Sequence, residues 1–343
     1  MRRSALATNF RTLKHLHGGP VAAVVKADAY GLGALEVIQT LEPEGLSQAF
    51  VATIAEGQVL RQKFPDLELF VFEGLPPSND EAVQVCRNER LVPVLNSTEQ
   101  VARWRSDGQG APCAVHVDTA MSRLGFDWRT FRAADVAGVE PSLLLTHFAC
   151  ADVPGSPLNA LQVERFRAVS QLLPEVPVSM GNCAAGLSDQ IPTRGVLRAG
   201  IGLYGGNPYA MQPSPVVEVA CLEAEVLQCR RLNAGDSAGY GATWHASGPC
   251  EVATVGIGYA DGVPRSLSNR GALFVGGQRC PIVGRVSMDA VQIDVTGRSV
   301  AAGDWIEVFG GDYSIDAFAG DQDTIAYEVL TRLGPRIVRE YVD

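Results

Sequence analysis

The sequence lacks the features that mark several large classes of protein. It contains no run of about 18 apolar residues, the length that a membrane-spanning helix needs. The two arginines after Met1 are not followed by the apolar segment of a secretory signal. Charged residues make up 19% of the chain and apolar residues 46%, a balance that excludes an intrinsically disordered protein. We therefore expect a folded protein that acts in the cytoplasm and does not bind membranes.

Common metal-binding motifs are also missing. The eight cysteines form no C-x-x-C pair, which excludes a zinc ribbon and a thioredoxin motif, and their scatter is typical of a reduced chain. No H-E-x-x-H sequence occurs, and the aspartates between 312 and 323 lack the spacing of an EF-hand loop. We predict no metal site.

The chain is acidic, with 38 acidic and 28 basic residues and a net charge of −10. No block of lysine and arginine interrupts this balance. Nucleic-acid-binding proteins usually carry a clustered basic surface, so we expect no nucleic-acid partner. The negative charge is most simply explained as an aid to solubility.

Apolar runs of strand length alternate with helical segments over the first 200 residues. The predicted strands cover 21–25, 49–54, 68–72, 91–95, 113–117, 142–147, 176–180 and about 195–200. Strand–helix alternation implies parallel pairing, and eight units favour a closed (β/α)8 barrel of the TIM type. A doubly wound open sheet is the structural alternative.

The alternation stops where Pro208, Pro213 and Pro215 punctuate the chain. We place the domain boundary here, with an α/β barrel domain over 1–212 and a mainly β domain over 213–343. Glycine-separated strands are predicted over 216–229, 252–258, 272–275, 280–286, 290–295 and 305–309, followed by one helix over about 323–332.

Lys26 directly follows the first predicted strand, in the segment Val-Val-Lys-Ala-Asp-Ala-Tyr-Gly-Leu-Gly (24–33). The carboxyl ends of barrel strands carry the active site. A desolvated lysine at that place has a lowered pKa and can form a Schiff base with a carbonyl group. The alternative, from the residues alone, is a lysine at a strand end that reaches solvent.

Further polar side chains lie at or after the ends of other predicted strands: Arg123, Asn182 and Cys183 follow their strands, His147 ends one, and Arg198 lies within or at the end of the eighth. Each alone has a structural explanation, such as a capped turn or a hydrogen-bonded core histidine. Together they predict a polar cluster at one mouth of the barrel. The segment 200–205 matches G-x-G-x-x-G but lacks the helix that a dinucleotide site requires, and glycine amides after an eighth barrel strand suit a phosphate group better.

These segments resemble those of the alanine racemase family, whose members combine a (β/α)8 barrel, a C-terminal β domain and pyridoxal 5′-phosphate. The segment around Lys26 is the most specific. Others follow in family order along nearly the whole chain, at 118–125, 146–149, 197–201, 239–243, 258–262, 288–289 and 327–329. The resemblance implies a homodimeric enzyme that interconverts L- and D-alanine, with D-alanine used in the cell wall or in catabolism.

The resemblance assigns four catalytic residues. Lys26 would hold the cofactor covalently and act as the base on one face of the substrate Cα. Tyr240 of the partner subunit would be the base on the opposite face, because racemisation needs one proton-transfer group on each face. His147 would hydrogen-bond to Tyr240, and Arg198 would contact His147 and the pyridine nitrogen. An arginine stays protonated there, which suits a racemase and disfavours a decarboxylase of similar barrel.

It also assigns residues that bind the cofactor and the substrate. Besides Lys26 and Arg198, the cofactor would be bound by Tyr30, Asn182, Cys183, Gly200, Ile201 and Tyr327. The substrate would contact Arg123, Met288, Asp289, Tyr259 and Tyr327, of which the two tyrosines would restrict the side chain to about the size of a methyl group.

The sequence departs from the family pattern in three places. Cys183 replaces a phosphate-binding serine, so we expect weaker cofactor binding, since a thiol is the weaker donor. His116 replaces a lysine that some members carbamylate to brace the substrate arginine, so we expect Arg123 to be held less firmly and KM to be raised. The chain opens on its first helix, where family members usually have a short strand, so either the start is misassigned or the strand is missing, and in the second case we expect an unpaired edge in the β domain.

Two alternatives stay open at this point. One is a racemase of the same fold for another small amino acid, such as serine. The other is a non-catalytic protein that binds pyridoxal phosphate. The pair of Lys26 and Tyr240 distinguishes the second alternative, because a binding protein has no need of Tyr240.

Overall fold

A computed structural model describes residues 1–209 and 213–343, and the chain divides into two units. The first, the barrel unit, covers Arg3–Val217. The second, the β-rich unit, covers Met1–Arg2 and Glu218–Asp343. The predicted boundary between 212 and 213 adjoins residue 212, which lies outside the described residues.

Eight parallel strands form a nearly closed TIM-like barrel, as predicted. They are β1 (Val21–Val24), β2 (Gln48–Val51), β3 (Glu68–Val71), β4 (Leu91–Leu95), β5 (Pro112–Asp118), β7 (Glu140–Leu145), β8 (Val178–Ser179) and β9 (Leu197–Ala199). A two-residue strand, β6 (Phe126–Asp127), pairs with β5. The strand order is β8-β7-β5-β4-β3-β2-β1-β9, and a parallel bridge between Asn182 and Arg198 joins the two ends. A closed ring brings the polar residues after successive strands to one rim.

Helical segments connect these strands. They are α1 (Arg3–His17), α2 (Lys26–Gly31), α3 (Ala34–Leu41), α4 (Ile54–Arg61), α5 (Ala82–Asn88), α6 (Thr98–Asp107), α7 (Pro157–Ser170) and α8 (Cys183–Leu187). In α1 the apolar face consists of Leu6, Phe10 and Leu13, which are fully buried, whereas Leu16, at the last turn of the helix, is half exposed.

Side-chain caps fix the loops that lead into α4 and α6. Thr53 accepts a hydrogen bond from the backbone of Glu56, whose carboxylate accepts one from the Thr53 backbone in return. Ser97 caps α6 by accepting from Gln100 N. The Gln100 side chain accepts from the backbone of Asn96 at 2.9 Å.

The β-rich unit contains one six-stranded antiparallel sheet of order β15-β14-β17-β10-β13-β16. Its strands are β10 (Leu222–Leu232), β13 (Cys250–Val255), β14 (Ala272–Val275), β15 (Gln278–Pro281), β16 (Val291–Asp294) and β17 (Trp305–Phe309). A separate ribbon pairs β11 (Ser237–Ala238) with β12 (Trp244–His245), and the unit also holds helices α9 (Ile315–Gly320) and α10 (Ala326–Thr331). The predicted mainly β character is confirmed.

The first predicted strand of this unit starts six residues too early. The backbone of residues 216–221 bonds elsewhere: Val217 N donates to Asn9 Oδ1 in α1, and Val219 O accepts from Arg2 N. Arg2 also forms a parallel bridge with Val342, so the expected unpaired edge is covered at these positions.

No helix among residues 1–209 and 213–343 combines the length and the apolar character needed to cross a bilayer.

Candidate active site

The segment after Lys26 is a left-handed turn. Ala27, Asp28, Ala29 and Tyr30 have φ angles of 52°, 53°, 52° and 59°. This conformation costs roughly 1–2 kcal/mol for each residue that has a Cβ. Four such residues in succession mean that surrounding contacts hold the segment in place, which is typical of functional sites.

Two carboxylates hold the left-handed turn. Glu56 of α4 accepts from Ala27 N at 2.7 Å and from Ala52 N at 2.7 Å, so it ties the turn to the loop after β2. Asp28 accepts from Ala34 N at 2.8 Å and thereby fixes the start of α3. The position of Lys26 is therefore set by a side chain from the following strand–helix unit.

The Lys26 ammonium group lies in a partly buried site above the Phe72 ring, 5.9 Å from the ring centroid. Within the described residues it has no hydrogen-bonded or ion-paired partner. Burial lowers the pKa of Lys26, and the positive charge of Arg123 lowers it further. A lysine of lowered pKa provides more of the free amine, the form that attacks a carbonyl or takes up a proton.

Arg198, in β9, is buried, with 3% of its surface exposed. Its guanidinium donates to Ser179 O at 2.9 Å, to Ser179 Oγ at 2.6 Å and to Thr146 O at 2.6 Å. The Ser179 hydroxyl in turn donates to Val196 O at 2.6 Å. Burial lowers the pKa of Arg198 to about 10, so it remains a cation at neutral pH. This is a rigidly held positive charge inside the barrel.

His147 follows β7 and lies beside Arg198, with 3.1 Å between His147 Nδ1 and Arg198 Nη2. Burial holds the pKa of His147 well below its usual range, and the charge of Arg198 lowers it further. The imidazole is therefore neutral. Because arginine only donates, Nδ1 must be the acceptor and the proton must lie on Nε2. His147 thus presents one N–H donor in a fixed direction.

Tyr30, Cys183 and Gly200 meet beside the carboxyl end of β9. Gly200 N donates to Cys183 Sγ at 3.0 Å, and the backbone N–H groups of Gly202 and Leu203 also lie against this thiol. A Cβ at Gly200 would lie 2.4 Å from Tyr30 Oη, so a residue with a side chain is excluded there. Backbone amides that converge on one point form an anion-binding nest.

The other predicted residues of this rim have mainly structural contacts. The Asn182 side chain caps α8 by accepting from Ala185 N at 3.0 Å, and Ile201 is fully buried with its carbonyl accepting from Tyr204 N. Burial raises the pKa of Cys183 to about 11, which keeps its thiol protonated and unreactive.

His116 of β5 is fixed by Asn96. Asn96 Nδ2 donates to Phe72 O and Val94 O, which orients its carbonyl oxygen toward His116 Nδ1 at 2.9 Å. Burial lowers the pKa of His116 to about 3, and the charge of Arg198 contributes to the shift. The neutral ring therefore carries its proton on Nδ1, and its Nε2 atom is a lone-pair acceptor.

The loop that carries Arg123 lies next to His116. Asp118 organises this loop, accepting from the backbone N–H groups of Ala120, Met121 and Ser122 at 2.7–3.0 Å. Gly125 approaches the His116 ring so closely that a Cβ there would lie 3.1 Å from His116 Cγ. Arg123 itself is exposed and has no hydrogen bond to a described residue. It is a cation available for an anionic ligand.

The remaining predicted residues lie in the β-rich unit. Tyr240 and Met288 are 72% and 52% exposed, and Tyr259 is also exposed. Within the described part of the chain, the Met288 N–H has no acceptor. Tyr327, in α10, is half-buried. Asp289 differs from the others because its carboxylate is held by Arg336 at 2.6 Å.

Sequence reasoning missed several residues that position this site, namely Glu56, Asn96, Thr146, Ser179 and Arg336. Only Glu56 leaves a local signal, the Thr-x-x-Glu spacing of a capping box at 53–56. The others act through contacts between segments that are distant in sequence.

A Gly-x-Ser-x-Gly sequence at 235–239 does not mark a hydrolase site. A nucleophilic serine of that motif sits on a turn from a strand into a helix. Ser237 instead lies in β11, which pairs antiparallel with β12.

Two family models match almost the whole chain. The alanine racemase N-terminal domain matches residues 1–208, and the alanine racemase C-terminal domain matches residues 219–341. The alanine racemase of Acidiphilium cryptum is 41% identical over 347 residues, which cover 98% of this chain and 96% of the relative. The catabolic alanine racemase of Agrobacterium fabrum is 40% identical over 352 residues, which cover 98% and 90%.

Solved structures give the same result. The alanine racemase from Bartonella henselae with covalently bound pyridoxal phosphate has a TM-score of 0.92 and 33% identity, over 100% of this chain and 98% of that one. The biosynthetic alanine racemase from Pseudomonas aeruginosa has a TM-score of 0.91 and 32% identity, with the same coverage.

Proposed function

Because the chain belongs to the alanine racemase family, we propose that it interconverts L- and D-alanine by proton transfer at Cα on two opposite faces. The family membership supports the amino-acid racemase activity and identifies the cofactor as pyridoxal 5′-phosphate. The observation that carries the proposal is the cluster at one rim of the barrel: a lysine that has no hydrogen-bonded partner among the described residues, a buried arginine and a nest of backbone amides.

The residues present fit the cofactor. The nest at Gly200, with the Tyr30 hydroxyl beside it, offers donors to a phosphate group, and Lys26 offers an amine to an aldehyde. Ile201, Cys183 and Tyr327 would complete the phosphate contacts, and Asn182 would hold α8 in place beside them. When bound, pyridoxal phosphate supplies an electron-withdrawing ring that weakens the Cα–H bond of the amino acid.

Arg198 would face the pyridine nitrogen of the ring. A guanidinium is a poor proton donor even with the lowered pKa of Arg198, about 10, so Arg198 would leave that nitrogen largely without a proton. The hydrogen bonds of the Arg198 guanidinium to Ser179 and Thr146 hold it in this position. An arginine at this position would moderate the withdrawal of electrons by the cofactor ring and favour return of the proton to Cα, the outcome that a racemase needs.

Lys26 Nζ would remove or return the Cα proton on one face, and Tyr240 Oη of a partner subunit would do so on the other. The neutral His147, with its proton on Nε2, would donate a hydrogen bond to the tyrosine oxygen and favour its deprotonated form. Arg123 and the N–H of the partner's Met288 would bind the substrate carboxylate. Tyr259 and Tyr327 would limit the size of the side chain.

We further propose that the functional unit is a homodimer. Tyr240, Tyr259 and Met288 are exposed on the β-rich unit, where large apolar side chains are costly unless something covers them. A closed symmetric dimer would cover them and complete both sites. The eight free cysteines are consistent with a reducing compartment, and we propose that the enzyme acts in the cytoplasm, supplying D-alanine to the cell wall or feeding its catabolism.

The test follows exchange of the Cα proton of L- and D-alanine in D2O together with optical rotation, with pyridoxal phosphate added. We expect exchange with inversion from either enantiomer, abolished in Lys26→Ala and unchanged in Lys63→Ala, which alters an exposed lysine. Exchange without inversion would contradict the two-base assignment. Inversion of serine in preference to alanine would replace alanine with serine as the proposed substrate. Bound cofactor with neither exchange nor inversion would refute the proposed racemase activity.

A further inference from the structure

Arg336, close to the end of the chain, binds two carboxylates. Its Nε and Nη2 atoms donate to the two oxygens of Asp261, both at 2.9 Å, and its Nη1 atom donates to Asp289 at 2.6 Å. Asp261 is buried, with 8% of its side chain exposed, whereas Asp289 is largely exposed. These two carboxylates raise the pKa of Arg336, so the group stays charged.

The two aspartates belong to the two loops that carry the predicted substrate contacts. Asp261 closes the loop 258–262, in which it also accepts from Gly258 N at 3.0 Å, and this loop presents Tyr259. Asp289 directly follows Met288 in the second loop. A single guanidinium therefore connects both loops.

The two loops are also joined through their backbones. Tyr259 N donates to Ser287 O and Ala260 N donates to Met288 O, both at 3.1 Å. Gly258 makes this approach possible, because a Cβ there would lie 2.3 Å from Met288 O. Such a contact is sensitive to small shifts of either loop, and the planar fork of Arg336 fixes the spacing between them.

We propose that Arg336 is a positioning residue that sets the distance between the Tyr259 phenol and the Met288 N–H, and that Asp289 acts through Arg336 rather than by touching substrate. The inference rests on the proposed function, since it concerns how these two groups meet an amino acid. It assigns Asp289 a role different from the substrate contact that the resemblance implies. Lysine cannot replace Arg336, because one ammonium cannot bind both oxygens of Asp261 and reach Asp289.

The test is a double-mutant cycle on KM for L-alanine. We expect Arg336→Met to raise KM about tenfold while kcat falls less than about threefold, because the loops that receive the substrate lose their spacing. Asp289→Ala should raise KM about threefold alone and should add nothing in the Arg336→Met background, since the two residues act as one unit. Effects that multiply would overturn the proposal and return Asp289 to the substrate.

A second measurement does not depend on activity. Amide hydrogen exchange of the peptide containing Tyr259 and Ala260 should accelerate in Arg336→Met and in Asp289→Ala. Arg11→Met is the matched control, because it breaks an equally bidentate pair with Glu44 on the barrel unit and should alter neither KM nor this exchange. Unchanged exchange in Arg336→Met and in Asp289→Ala, a variant at an exposed site, would overturn the proposal that Arg336 holds the two loops together. A wild-type chain that does not racemise alanine would refute the proposed function. The hydrogen-exchange result would still decide whether Arg336 holds the two loops together.

Discussion

The Nη2 atom of Arg198 lies 3.1 Å from Nδ1 of His147, so a buried cation fixes the protonation and the tautomer of a histidine. Arg198 determines the state of His147, and not the reverse. Arginine has no acceptor to offer, which forces the His147 proton onto Nε2, and its charge disfavours a second proton on the ring.

Replacement of Arg198 should therefore change His147 measurably. In Arg198→Met we expect the pKa of His147 to rise, because a lowering charge is lost, and racemisation to fall about a hundredfold or more. Nitrogen NMR of labelled histidine should show the Nε2–H tautomer at neutral pH in the wild type and a mixture in the variant. The exposed His245 is the internal control. An unaltered His147 titration in the variant would contradict the electrostatic coupling.

Tyr240→Phe should reduce racemisation by about 10²–10⁴ while pyridoxal phosphate stays bound, because only one proton-transfer group is lost. Mixing this variant with Lys26→Ala tests the shared site. If each site combines Lys26 of one subunit with Tyr240 of the other, half of the statistical dimers carry one intact site, and about a quarter of wild-type activity should return. Sites confined to single chains would give no recovery. Size measurements should show dimers throughout.

Cys183→Ser should tighten binding of pyridoxal phosphate, by about three- to tenfold, because a hydroxyl donates to phosphate better than a buried, protonated thiol. The measurement is the dissociation constant from quenching of protein fluorescence. Cys113→Ser alters another buried cysteine and should leave the constant unchanged. Equal affinity in the wild type and Cys183→Ser would show that the amide nest alone determines phosphate binding.

His116→Lys should lower KM for alanine when bicarbonate is present. Arg123 and Arg198 surround this position with positive charge, so an unmodified lysine is disfavoured there and its carbamate is favoured. The variant assayed without bicarbonate should have a KM at or above that of the wild type. A KM independent of bicarbonate and equal to the wild-type value would contradict a weak hold of His116 on Arg123.

Glu218→Gln should stabilise the protein at pH 8 and have little effect at pH 4. Burial raises the pKa of Glu218 from 4.5 to about 7, and its Oε2 atom has no hydrogen-bond partner among residues 1–209 and 213–343. A folded-state pKa above the unfolded value contributes stability that is fully present below pH 4.5 and is lost as the pH rises through 7. We expect a gain of about 1–2 kcal/mol at pH 8 from urea unfolding, after allowance for partial exposure. A gain that is equal at both pH values would have another origin.

Most barrel strands were predictable because their residues are largely buried and form short apolar runs, as in β1 and β4, whereas β9 contains Arg198. The same argument failed at 216–221, where an apolar run bonds to Asn9 and Arg2 rather than to a sheet. Propensity cannot anticipate this outcome, since the partners lie about 200 residues away in the chain.

The site was predictable in part. Lys26 and His147 lie just beyond strand ends, where the barrel rule directs attention, and Arg198 lies within β9 beside them. The tautomers of His147 and His116 were not predictable, because they depend on a guanidinium and an amide from other strands. The role of Asp289 was obscured for the same reason, since its partner Arg336 lies 47 residues further along the chain.

The left-handed turn after Lys26 bears on how this site could be transferred to another protein. The ten-residue segment around the lysine holds its unfavourable backbone only in part, because Asp28 lies within it but the carboxylate that receives Ala27 N comes from Glu56 of the next strand–helix unit. Grafted alone into a different barrel, the segment would relax and the lysine would point elsewhere. The smallest transferable part is therefore a pair of adjacent units, and a recombinant with a crossover between Lys26 and Glu56 should succeed only when the parent that supplies the downstream part carries the glutamate.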